Sequence, residues 1–127
     1  MDARLDVYKA LGLRPGDAHV IRNAGGIATE DALRSLVVSS ATLGTEAALV
    51  IGHTDCGMTR FSNPELRERL RQQGIDARDM DFLPFPYVDS QVVESVQRLH
   101  DSRLFPAGFA VHGFVYEVKT GRLRLLT

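Results

Sequence analysis

His53 and Cys56 stand three apart in the string His53-Thr54-Asp55-Cys56-Gly57. Imidazole nitrogen and thiolate sulfur are donors that zinc takes readily, and a sharp turn between the two residues, eased by Gly52 and Gly57, would let them share one ion. The pair alone does not make a site. Zinc needs three or four protein ligands, and a lone cysteine is more often a small core hydrophobe. Asp2 and Arg4 form a second pair: on a strand, residues two apart point to one side and can meet as carboxylate and guanidinium. The plain alternative is a surface ion pair at a frayed end, worth about 0–1 kcal/mol. A third candidate is Asn23-Ala24-Gly25-Gly26, ahead of a helix. Its backbone N–H groups could face an anion, or its glycines could serve close helix-to-strand packing.

The elements that must position these residues can be read from periodicity. The run Ala18–Arg22 follows the turn signal Arg14-Pro15-Gly16-Asp17 and predicts a strand. Thr29 is placed to cap a helix with Glu30 and Asp31 in its first turn, and Gly44 ends it. The continuous apolar run 47–52 predicts a parallel strand buried on both faces, with His53 and Cys56 directly after it. Asn63 as cap, Pro64 at the first helical position and Gly74 beyond the end bracket a charged, solvent-facing helix. Residues 81–87 carry two prolines and read as a loop. Val92, Val93, Val96 and Leu99 mark an amphipathic helix beginning near Asp89, and 109–118 with 122–126 flank Lys119-Thr120-Gly121 as a β-hairpin. This order predicts a single α/β domain over residues 1–127: a mainly parallel sheet flanked by helices, with the C-terminal hairpin at its edge. Ligands in such sheets gather at the carboxyl ends of the strands, where His53 and Cys56 fall.

Composition narrows the function. With 127 residues there is room for one core; 15 Lys and Arg against 16 Asp and Glu leave no electrostatic footprint for nucleic acid. No apolar run approaches the ~18 residues of a membrane span. One cysteine excludes an internal disulfide, and the opening Met-Asp-Ala-Arg-Leu-Asp has no secretory pattern, so the expected compartment is cytoplasmic. The glycines of 23–26 do not make the G-x-G-x-x-G dinucleotide fingerprint. His19, His100 and His112 are read as structural.

Four segments together resemble one family. Met1–Asp6 looks like the second half of the Cys-x-Asp-x-Arg motif of β-class carbonic anhydrases; Val20–Gly26 is similar to their following loop; His53-x-x-Cys56-Gly57 resembles their His-x-x-Cys motif; and His112–Tyr116 resembles their late strand. The order and spacing agree over essentially the whole chain. The resemblance implies a lyase that reversibly hydrates CO2 to bicarbonate with one Zn2+ per chain. It makes His53 and Cys56 zinc ligands, Asp2 a catalytic residue oriented by Arg4 and a conditional ligand in a closed state, and Asn23–Gly26 an anion or substrate loop. CO2 and bicarbonate are the implied partners, in a homodimer or higher assembly. The family's first cysteine ligand falls immediately before Met1, so the chain is expected to lack that ligand, the N-terminal helix and the start of the first strand, with zinc retention and activity impaired. The alternative is a non-catalytic domain with weak or no zinc, acting in association or anion binding. CS2 is a related substrate that the residues do not exclude. Phe114 stands where a tryptophan is common in the family, so the bicarbonate-binding allosteric pocket of some members is not carried over.

Overall fold

Thr29 caps the first long helix as its position predicts. Its Oγ1 accepts from the Ala32 N–H at 3.3 Å, and Gly44 closes the helix in the left-handed region. A computed structural model describes residues 1–127, in the order α1 (Val7–Leu11), α2 (Glu30–Leu43), β1 (Ala47–His53), α3 (Asn63–Gln72), α4 (Val88–Asp101), β2 (Ala110–Glu117) and β3 (Arg122–Leu125). The fold is a single α/β domain whose mixed sheet runs β1-β2-β3, parallel between β1 and β2 and antiparallel in the expected C-terminal hairpin.

Register and burial identify the covered face of the sheet. Ala48, Val50 and Gly52 lie opposite Val111, Gly113 and Val115, and this face receives Val92, Val96 and Leu99 of α4. Helix and sheet meet closely because two strand positions lack a side chain. A Cβ on Gly52 would lie 2.7 Å from Val88 Cγ1, and one on Gly113 would lie 2.8 Å from Val92 Cγ1. The opposite face, with Leu49, Phe114 and Leu125, is only partly covered, and Leu49 and Leu125 are 50% and 60% exposed. β1 is therefore not buried on both faces as expected. Its accessibility alternates because a helix covers one face only.

Two expected strands are absent. Residues 1–6 hold a turn at Ala3 and Arg4: the Asp2 carboxylate takes the Arg4 backbone N–H at 2.9 Å, and Leu5 N–H donates to Asp2 O at 3.2 Å. That local bonding competes with a strand ladder, and α1, capped by Asp6, follows directly. Residues 18–22 join no strand ladder. A groove of about 1000 Å3, lined also by α2, separates them from β1, and a strand without a ladder partner is not a strand.

At α3 the cap is Ser62 rather than Asn63. Ser62 and Glu65 bond reciprocally in a capping box, while Asn63 ties the 81–87 loop through Asp81 Oδ1 at 2.7 Å and Phe82 N–H at 2.9 Å. No helix is long and apolar enough to cross a membrane.

Candidate functional site

The carboxyl end of β1 delivers His53 to the face opposite α4, and the loop after it is pinned to the neighbouring strand. Thr54 N–H donates to Tyr116 O at 2.9 Å, and Thr54 Oγ1 accepts from Val118 N–H at 3.0 Å. With the loop held there, the His53 ring can turn back on its own chain, and Nδ1 lies 2.9 Å from Thr54 O. A carbonyl only accepts, so Nδ1 carries a proton and Nε2 is the ring nitrogen left for another partner. Nε2 faces Asp2, 3.7 Å from Oδ2.

Asp2 arrives from the N-terminal turn, 51 positions away from His53 in sequence but adjacent in space. Arg22, from the extended 18–22 segment, holds that turn by donating to Asp2 O at 2.6 Å and Leu5 O at 3.0 Å. Arg4 binds the Asp2 carboxylate through Nε at 3.0 and 3.1 Å and through Nη2 at 2.6 Å. The expected pair thus exists, formed across a turn instead of along a strand. These guanidinium bonds, with the Arg4 backbone N–H, hold the Asp2 carboxyl well below the usual carboxylate range. Asp2 is an anion at any ordinary pH.

Cys56 is a free thiol, 5% exposed, at the head of the short turn Gly57–Thr59. The turn Ala24–Gly26 packs against it. Asn23 closes that second turn by accepting from Ile27 N–H at 3.0 Å and donating to Ile27 O at 2.8 Å. Its glycines meet a packing need: a Cβ on Gly26 would lie 2.8 Å from Ile51 O, and one on Gly25 would lie 2.7 Å from Phe85. Asn23, Ala24, Gly25 and Gly26 therefore line the same end of β1 as His53 and Cys56, and Asn23's amide is spent within the turn.

The tight turn between His53 and Cys56 does not rely on Gly52 or Gly57. Gly52 makes room for α4, and Asp55 takes the left-handed conformation with φ of 57°. Asp55 also binds Arg4 and Arg60. Sequence reasoning did not single out Asp55, Arg60 or Arg22. The available signal was an aspartate, a residue tolerant of positive φ, inside the His-x-x-Cys spacing.

As a zinc site, the residues fit in kind. His53 offers an imidazole whose Nδ1 is bonded to a carbonyl, leaving Nε2 for a metal, and Cys56 offers sulfur. They fall short in number, since no group of three or more His, Cys, Asp or Glu side chains is gathered as a metal-holding cluster.

Comparison with known proteins supplies the context. Residues 1–81 match the family model for carbonic anhydrase. The chain is 37% identical over 127 residues to β-carbonic anhydrase 1 of Mycobacterium tuberculosis, covering 100% of this chain and 78% of that protein. The crystal structure of a carbonic anhydrase from Streptococcus mutans superposes with a TM-score of 0.94 at 48% identity, covering 100% of this chain and 77% of that one. A carbon disulfide hydrolase from an Acidianus species is 34% identical over 148 aligned residues, covering 98% of this chain and 72% of that protein.

Proposed function

Since the chain belongs to the β-class carbonic anhydrase family, we propose that it catalyses the reversible hydration of CO2 to bicarbonate, with residues 1–127 acting as one domain and zinc as its metal. The observation that carries this reading is the His53 ring, whose bonded Nδ1 leaves Nε2 free beside Asp2.

His53 Nε2 and Cys56 Sγ would hold the ion, with Asp2 able to add a carboxylate oxygen when it leaves Arg4. A bound zinc supplies Lewis acidity that makes water a usable nucleophile near neutral pH. Asp2, kept ionised by Arg4, accepts a hydrogen bond from the attacking water and aims its lone pair at CO2. Arg4 fixes the direction of that carboxylate through its planar fork. The backbone of Asn23–Gly26 forms the wall against which bicarbonate collects. Asp2 could not steer water and hold a metal at once, so Asp2 on Arg4 would be the active arrangement and Asp2 turned to the metal a closed one. The half-covered sheet face carrying Leu49, Phe114 and Leu125 favours assembly as a homodimer or larger. The absence of a membrane-crossing helix and of any disulfide agrees with work in the cytoplasm.

That no three His, Cys, Asp or Glu side chains gather to hold a metal favours a second reading: a domain of this family that holds zinc weakly or not at all and serves in association or anion binding. Zinc analysis of the purified chain, with stopped-flow CO2 hydration, separates the two. The first reading expects zinc bound at up to about one per chain, weakly held, and hydration above the buffer rate though impaired, both reduced further in H53A and C56S. A metal-free chain with no hydration, even after zinc is supplied, overturns it. Release of sulfide from CS2 with no hydration of CO2 would assign the site to the other substrate.

A further inference from the structure

The Arg4 guanidinium is used on both of its edges. One edge holds Asp2; the other donates through Nη1 to Asp55 Oδ2 at 3.0 Å and through Nη2 to Asp55 O at 3.2 Å. Asp55 is in turn bonded by Arg60. Four side chains of alternating charge thus run Asp2, Arg4, Asp55, Arg60, and they join the N-terminal turn to the loop between His53 and Cys56.

We propose that Asp55, held by Arg60, is a positioning residue that anchors the outer edge of Arg4, so that its inner edge presents the Asp2 carboxylate to His53 in one orientation. The proposal rests on the hydration reading above for its consequence in catalysis.

Exposure argues against a mainly stabilising role. The Arg4 and Asp55 side chains are 54% and 45% exposed, and ion pairs at such exposure add little to stability. What the contact does add is direction. A guanidinium is planar with five N–H groups; held on one edge only, it can swing about that edge, and held on two it cannot. The backbone points the same way. At φ of 57° a glycine would suffice for the turn, yet the position carries a carboxylate that reaches two arginines from different segments. Asp55 lies within the His53–Cys56 loop, so any movement of that loop is transmitted to Arg4 and from there to Asp2.

The test uses the full chain with 15N-labelled arginine, as wild type, D55N and R60Q. Asparagine tolerates the left-handed backbone, so D55N removes the charge and keeps the turn; R60Q leaves the loop untouched and loosens only the outer anchor. Solvent exchange of the Arg4 Nε–H, assigned by its loss in R4K, reports directly on the guanidinium. It should accelerate about tenfold in D55N and less in R60Q, while kcat for CO2 hydration falls by up to about a hundredfold with KM little changed. Unchanged exchange in folded D55N and R60Q, with hydration intact, overturns the anchoring and leaves the reaction standing. Faster exchange in D55N, with no hydration by any of the proteins, supports the anchoring and overturns the reaction assigned above.

Discussion

His53 Nε2 lies 3.7 Å from Asp2 Oδ2, and neither residue is free to choose that approach: Thr54 O holds the ring from behind, and Arg4 holds the carboxylate. The arrangement turns two segments far apart in sequence into a single polar centre at the carboxyl end of β1.

Replacing Arg4 with lysine should leave the fold intact and cut CO2 hydration by about tenfold to a hundredfold, because a point charge cannot fix a carboxylate as a fork does. Stopped-flow rates with a matched thermal melt check this. Activity equal to wild type would remove Arg4 from the site's chemistry.

Asp2 provides a pH prediction. Its folded pKa is depressed, first by the Arg4 side chain and then by the Arg4 backbone N–H, so its contribution to stability is present above the ordinary value of 3.8 and is lost as pH falls through the folded value. In R4Q the Asp2 carboxyl should titrate close to 3.8, while in wild type it should remain ionised through that region. Carboxyl 13C shifts followed with acid give the answer; coincident curves would contradict the pairing.

Gly52→Ala should destabilise the protein by about 1–3 kcal/mol. The added methyl would lie 2.7 Å from Val88 Cγ1 and 2.8 Å from Val92 Cγ2, so α4 must shift off the sheet. Urea unfolding measures the loss. Gly57→Ala is the contrast, since a Cβ there meets nothing within 4 Å and stability should hardly change.

Ser62→Ala should cost about 0.5–2 kcal/mol by opening the capping box of α3. Ser62 N–H donates to Glu65 Oε2 at 2.7 Å, and the serine hydroxyl takes the Glu65 N–H. Asn63→Ala should act elsewhere, releasing Asp81 and Phe82 N–H and loosening the 81–87 loop. Amide exchange separates the effects: α3 for the serine, the loop for the asparagine.

Local rules were enough for much of this protein. Thr29 and Gly44 bracket α2, the β-branched and leucine stripe Val92, Val96, Leu99 seats α4, and the hairpin around Lys119-Thr120-Gly121 forms as spaced, because caps, periodicity and turns act within a few residues. Spacing and residue type made His53 with Cys56, and Asp2 with Arg4, candidates only; the family resemblance gave them their expected roles. What depended on partners distant in the chain was out of reach. Residues 18–22 have strand character but stay unpaired because β1 lies across a groove, and Asp2 meets Arg4 over a turn because its own carboxylate takes a neighbouring N–H. The use of Gly52 for helix packing, and of Asp55 as the residue that both turns the loop and grips Arg4, exists only once α4 and the N-terminal turn have docked. A sequence records which groups can bond locally; which of their remaining bonds are made is settled by what the fold brings within 3 or 4 Å of them.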